Sequence, residues 1–248
     1  KAESIILKEA HEKYIDLISG VNVSAVGHSH PSIIKAVREQ TEKYMHLMVY
    51  GEFIQTPQVK YAELLASYLP DSLSNIYFVN SGSEAIEGAI KLAKRHTGKS
   101  KIASFRNAYH GSTHGALSIL GNEYFKDAYR PLLPGIIRLE YNQPDSLNKI
   151  DEDTACVVAE VMQAESGVNV QENDFLYKLR EKCNETGTLL IFDEIQTGLG
   201  RLGTLFGFEK YGVIPDILAL AKSFGGGLPL GAFISSKEIM QSFIQKPT

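Results

Sequence analysis

The chain has 248 residues, 44% of them hydrophobic and 22% charged, with a formal net charge of −4. Those figures describe an ordinary globular chain, large enough for one big domain or two small ones; it has no basic stripe suited to nucleic acid, no apolar run long enough to span a bilayer and no signal-peptide pattern at the start. The two cysteines, Cys156 and Cys183, sit in core-like and helix-like surroundings without disulfide or metal-ligand spacing, so a reducing cytoplasm is the expected location and no metal is expected.

Short apolar runs alternate with helical patterns along the chain. Helices are expected over 31–45 and 58–69, a strand over 75–79, a helix over 83–96, a strand over 101–105 and another over 155–160. A helix over 174–186 follows, then strands over 188–192, 216–220 and 231–235. Several of these strands are apolar throughout, which predicts burial on both faces. The fold class is therefore α/β, a mainly parallel sheet flanked by helices. Ligands of such sheets bind beyond the carboxyl ends of the strands, here at Asn80, Glu160, Asp193 and Lys222.

Three segments carry chemistry onto those ends. "NSGSEAIEGAIKLAKRHTG" (80–98) opens a helix directly after a strand, with Ser81 and Glu84 at capping-box spacing and Gly82 leaving room for close approach. A helix start of this kind suits a phosphate, although alone it is as well read as an ordinary capped helix. "NAYHGSTHGALS" (107–118) offers Tyr109 as a flat aromatic face. His110 and His114 are four apart, but Gly111 and Gly115 argue against a zinc helix, so the residues alone favour structural loop histidines. "LLIFDEIQTGLGRLG" (189–203) ends a buried strand on Asp193 and Glu194, and strand alternation lets only one of them face the ligand. Finally, "LALAKSFGGGLPLGA" (218–232) puts Lys222 between an apolar run and three glycines. There a lysine either snorkels to solvent or is held as a neutral nucleophilic amine. A phosphate cup, an aromatic platform, a strand-end acid and a strand-end lysine are together what pyridoxal 5'-phosphate requires.

The chain resembles the class III, or omega-amino, aminotransferases of pyridoxal-phosphate fold type I. The blocks "YIDLISGVNVSAVGHSHP" (14–31), 80–98, "AYHGSTHGALS", "AEVMQAESGV" (159–168), "IFDEIQTGLGRLG" and "LALAKSFGGGLPLGA" follow that family's order nearly end to end. The resemblance implies that Lys222 is the catalytic Schiff-base lysine and Asp193 the partner of the pyridine nitrogen. It further implies that Gly82 and Ser83 bind the phosphate, that Tyr109 and Ile195 pack on the ring, that Gln196 lies near the ring hydroxyl and that Glu160 is a second acid by the cofactor. Ser81 and His110 complete the expected cofactor set. Glu165 matches an acid that pairs with a substrate-binding arginine and swings away for the second substrate. The implied reaction is ping-pong transamination from an omega-amine donor (acetylornithine, ornithine or 4-aminobutyrate) to 2-oxoglutarate by a homodimer with shared active sites. Val21 and Val23 would give the entrance a small apolar lining. An aminomutase, racemase or decarboxylase of the same fold is the alternative within enzymes, and an inactive cofactor-binding regulator the one outside them.

Two departures from the family pattern stand out. Val161, Ala164 and Ser166 replace a proline and two glycines of the acid block. The family also continues well past the lysine into a small C-terminal domain. The expectation is thus an incomplete piece of a longer protein, with 1–48 as part of an N-terminal segment and 49–248 as most of the large cofactor domain.

Overall fold

The computed structural model describes residues 2–48, 53–172 and 174–244. The expected division between 48 and 49 abuts residues 49–52, and the last stretch, 245–248, is likewise outside the described residues. The chain opens with an exposed antiparallel meander, β1 (Ala2–Glu3), β2 (Ile6–Glu9) and β3 (Glu12–Ile15), followed by a single turn, α1 (Ser19–Asn22), and the helices α2 (Pro31–Lys43) and α3 (Thr56–Ala66). Then come β4 (Asn75–Val79), α4 (Gly82–Thr97), β5 (Lys101–Phe105), α5 (His114–Ser118), β6 (Ile136–Leu139) and β7 (Thr154–Glu160). The chain continues through β8 (Met162–Gln163), β9 (Asn169–Val170), α6 (Phe175–Thr186), β10 (Leu189–Asp193) and α7 (Gly207–Tyr211), and ends with β11 (Ile217–Leu220), β12 (Gly231–Ser235) and α8 (Lys237–Gln241). Among the described residues no helix is long and apolar enough to cross a membrane.

Seven strands make the central sheet, in the order β4-β12-β11-β10-β7-β5-β6. All run parallel except β12, which is antiparallel to both its neighbours. The sequence placed every strand of this sheet to within a residue except β6, which it missed. In β6, Arg138 interrupts the apolar run at a sheet edge. Its guanidinium turns back to donate to the Ile119 carbonyl at 2.7 Å and to Ser104 Oγ.

The inner strands β7, β11 and β12 are buried along their whole length, as their unbroken apolar runs predict, and both faces of the sheet are packed. One face meets α4 through Ala85, Ile86, Ala89 and Ile90; the other meets α3 and α6 through Leu65, Phe175, Leu176 and Leu179. Strand alternation then decides which side each residue of β10 serves. Leu190 and Phe192 join the α3/α6 side, whereas Ile191 joins the α4 side and Asp193 follows it in phase.

Helix α4 begins as its sequence dictates. Ser81 Oγ accepts from the Glu84 N–H at 3.2 Å. The return arm of the expected capping box is displaced by one residue, since Glu84 Oε2 accepts from the N–H of Asn80 at 2.8 Å rather than from Ser81. Gly98 ends the helix in the left-handed conformation, at φ 70°.

Candidate active site

A cavity of about 380 Å³ opens at the carboxyl ends of the strands, and all four strand-end residues, Asn80, Glu160, Asp193 and Lys222, line it. That volume lies within the roughly 300–1,000 Å³ typical of small-molecule sites. Ser81, Gly82, Ser83, Tyr109, His110, Ile195 and Gln196 line it as well. Of the two valines expected at the entrance, Val23 lines the cavity, while Val21 lies exposed in the preceding turn.

The helix start contributes the N–H groups of Gly82 and Ser83, which precede the first intrahelical bond from Ala85 to the Ser81 carbonyl. The room at Gly82 is taken by Ile195: a Cβ there would sit 2.8 Å from Ile195 Cδ1. The 109–113 loop closes against the same turn. Ser112 N–H donates to Ser83 Oγ at 3.2 Å, and a Cβ on Gly111, at φ 123°, would fall 2.1 Å from that oxygen.

The acids divide as strand alternation requires. Asp193 faces the cavity, its Oδ1 accepting the Ile195 N–H at 3.1 Å and its Oδ2 lying 2.7 Å from His110 Nδ1. Glu194 turns to the opposite side and accepts the N–H groups of Gly207 and Phe208 at the start of α7. It is therefore no substitute for Asp193. Burial pushes its carboxyl up to about 7. His110 is a correction to the loop-histidine reading: it is buried, bound to Asp193, and its Nε2 has no partner among the described residues. His114 does keep a structural role, 3.1 Å from the Pro131 carbonyl.

Glu160 stands opposite Asp193 in the β7–β10 register, so two carboxyl groups share one face of the sheet. Burial, opposed by His110 and reinforced by Asp193, raises Glu160 to about 7. Lys222 begins a 3-10 turn, Lys222–Gly225, with its backbone in the left-handed region at φ 52°, an uncommon conformation for a residue with a side chain. Burial lowers its amine below the ordinary lysine value, against the contrary pull of Glu165, Asp193 and Glu160.

Glu165 does not line the cavity directly. Its carboxylate accepts from Gln196 Nε2, while Gln196 Oε1 accepts from Asn22 Nδ2 at 2.7 Å. Sequence reasoning passed over Asn22, because neither periodicity nor a motif marks it. Met162, Leu228 and Leu230 add apolar wall.

These residues suit pyridoxal 5'-phosphate by their chemistry: free amides at a helix start for the phosphate, an exposed tyrosine face, a buried carboxylate backed by histidine for a ring cation, and a partly desolvated primary amine across the same cavity. Fold and site together are those of the cofactor-binding domain of pyridoxal-phosphate enzymes of fold type I. The chain belongs to the class III aminotransferases, matching the family described as "Aminotransferase class-III" over residues 1–247; the members of this family are pyridoxal-phosphate-dependent. It is 44% identical over 234 residues to an acetylornithine aminotransferase from Methanopyrus kandleri, covering 93% of this chain and 59% of that protein. Among solved structures it is similar to an amine transaminase from an uncultivated Pseudomonas species in a cofactor-bound form, with a TM-score of 0.92 and 27% identity, covering 98% of this chain and 62% of that one. It is similar also to an ornithine aminotransferase from Toxoplasma gondii, with a TM-score of 0.89 and 29% identity, covering 100% of this chain and 60% of that one. The chain thus spans less than two thirds of the length of each of these proteins.

Proposed function

We propose that the complete protein is a cytoplasmic homodimeric aminotransferase that moves the amino group of an omega-amine, with an acetylornithine-like donor favoured over ornithine or 4-aminobutyrate, to 2-oxoglutarate in a ping-pong cycle. In this reading residues 49–248 are the cofactor domain and 1–48 part of a smaller segment. The observation that carries it is the pairing, in one cavity, of a desolvated Lys222 amine with an Asp193 carboxylate fixed by His110 and Ile195 N–H. The 44% identity to an acetylornithine aminotransferase supports the choice of donor.

Bound pyridoxal phosphate supplies an electron sink conjugated to the reacting carbon of the substrate. The chain's own residues do the rest. The N–H groups of Gly82 and Ser83 bind the phosphate, with Ser81 shaping the turn. Tyr109 and Ile195 hold the ring between them, and Gln196 meets its hydroxyl. Asp193, held in place by the Ile195 N–H and His110, would face the ring nitrogen and keep it protonated. Burial raises Glu160 to about 7, so near neutral pH it carries less competing negative charge beside Asp193 than an ordinary carboxylate would. Lys222 Nζ anchors the cofactor. Because burial favours its neutral form, the same amine would be free to take a proton from the donor carbon and return one elsewhere. Met162, Leu228 and Leu230 give the cavity its apolar wall. Glu165 engages a cationic group of the complete protein during donor binding and moves aside for 2-oxoglutarate.

The deciding experiment is a visible absorption spectrum of the complete protein with pyridoxal phosphate. A yellow band that acetylornithine bleaches and 2-oxoglutarate restores is the expected result. Failure of every omega-amine to bleach the band sinks the proposal.

A further inference from the structure

We infer that Asn22 is a positioning residue that sets the direction of the Gln196 side-chain amide and, through it, the place of Glu165. The inference rests on the roles proposed above for Gln196 and Glu165.

The observation begins with strain. Ser19, Gly20, Val21 and Asn22 all have positive φ, at 56°, 62°, 59° and 66°. The turn is closed by left-handed i to i−4 bonds, from the Asn22 N–H to the Ile18 carbonyl at 3.2 Å and from the Val23 N–H to the Ser19 carbonyl at 2.9 Å. For the β-branched Val21 this is a true outlier, and backbone of this kind persists only where its surroundings over-determine it. They do so here. Asp16 Oδ1 accepts from the N–H groups of Ile18 and Ser19 at 3.1 and 2.8 Å, and its other oxygen lies 2.7 Å from His28 Nε2. Ser19 Oγ donates to the Ser24 carbonyl at 3.1 Å.

What the turn delivers is Asn22, clasped on two sides by the catalytic loops. Its carbonyl accepts from the hydroxyl of Ser223, the neighbour of Lys222, at 2.8 Å. Its side-chain amide donates to Gln196 Oε1 at 2.7 Å. An amide side chain has one oxygen that only accepts and one nitrogen that only donates. With Gln196 Oε1 committed to Asn22, Nε2 must point the other way, where it donates to Glu165. With Asn22 donating to its oxygen and Glu165 accepting from its nitrogen, Gln196 is held in one orientation between them. Asn22 also keeps Gln196 in place when Glu165 leaves.

An aspartate at this position reverses the relay. Aspartate tolerates the left-handed backbone as asparagine does, and it has nearly the same shape. As a carboxylate it only accepts, so Gln196 must turn its nitrogen toward it and present its oxygen to Glu165. Glu165 is then displaced from the position used with the donor. Glycine at position 22 adopts the left-handed backbone freely and removes the bond without reversing it.

The test uses the complete protein carrying Asn22→Asp, Asn22→Gly, Gln196→Ala, or Asn22→Asp combined with Gln196→Ala, each checked for native circular dichroism. Absorbance titration of cofactor-free protein gives the Kd for pyridoxal phosphate, and half-reactions give donor and 2-oxoglutarate KM separately. For Asn22→Asp we expect the donor KM and the cofactor Kd each to rise about fivefold, the worth of one net hydrogen bond. The KM for 2-oxoglutarate should not rise. Asn22→Gly should raise the cofactor Kd, with a smaller change in donor KM than Asn22→Asp. In the Gln196→Ala background Asn22→Asp should add nothing. Donor KM and cofactor Kd within twofold of wild type in Asn22→Asp, or the same change with and without Gln196, overturns the inference. Failure of the functional reading shows instead in the wild-type protein, which then takes up no cofactor, and it takes this inference with it.

Discussion

Glu160→Gln offers a quantitative probe of the site's electrostatics. The Glu160 carboxyl is 5% exposed, and burial with Asp193 beside it raises its pKa from 4.5 to about 7. A carboxyl whose pKa is higher in the folded state binds more protons there than in the unfolded chain, so its contribution falls as pH rises through the window from 4.5 to about 7. Over that window the shift corresponds to about 3.4 kcal/mol, of which about 2 kcal/mol is lost between roughly pH 5.5 and pH 8. Glutamine has the same shape, can still accept the Tyr109 N–H that lies 3.4 Å from Glu160 Oε2, and never ionises. The variant should therefore gain about 2 kcal/mol relative to wild type as pH is raised from about 5.5 to about 8. Chemical unfolding of cofactor-free protein at the two pH values, with linear extrapolation, measures this difference directly. Glu194 remains in both proteins and cancels. If the stability difference between variant and wild type is the same at both pH values, Glu160 is not a buried ionising group and the account of which acid carries the charge is wrong.

Three further outcomes follow from the same geometry. Lys222→Ala should abolish turnover while the apoprotein still binds pyridoxal phosphate through the helix start; multiple turnovers by this variant, seen in a coupled assay, would remove Lys222 from its role. Asp193→Asn should retain the cofactor but slow proton abstraction from the donor by orders of magnitude in stopped-flow, and a wild-type rate would transfer the role to another acid. Gly111→Ala places a Cβ 2.1 Å from Ser83 Oγ at a φ of 123°, so it should cost about 1–3 kcal/mol in unfolding experiments and weaken cofactor binding; unchanged values would mean that the loop does not close on α4 as described.

How far the sequence foretells this structure depends on what kind of signal each part leaves. Strands β7, β10 and β11 announce themselves because they are buried on both faces, which leaves an apolar run with sharp ends. That only one of Asp193 and Glu194 faces the site follows from alternation, while the choice of Asp193 comes from the family resemblance. Strand β6 fails the same test because Arg138, turned inward to the Ile119 carbonyl, breaks its apolar run. The antiparallel course of β12 leaves no local trace, because reversing a buried strand changes its neighbours but not its composition. His110 illustrates a different limit: its spacing to His114 invites a metal reading or a bland one, and only the three-dimensional approach of the 109–113 loop to β10 shows what its Nδ1 meets. Asn22 is harder still, since its importance lies in an unusual backbone conformation that the residues 19–22 do not advertise, Gly20 apart.

The place of β12 in the sheet has a consequence for the making of the protein. Among the described residues β4 is an edge strand whose one neighbour in the sheet is β12, with Val79 opposite Gly231. On a ribosome the two are made 152 residues apart, which at about 5–20 residues per second is an interval of about 8–30 s. Throughout that interval the β5, β7, β10 and β11 strands can pair as they appear, while β4 lacks the strand whose Phe233 stacks on its Tyr77. The turn that opens α4 emerges early, but the strand that ties it to the Lys222 side of the sheet comes after the lysine itself. The nascent chain therefore carries an unpaired edge until almost all of residues 1–235 have been synthesised, the period in which shielding by a chaperone matters most.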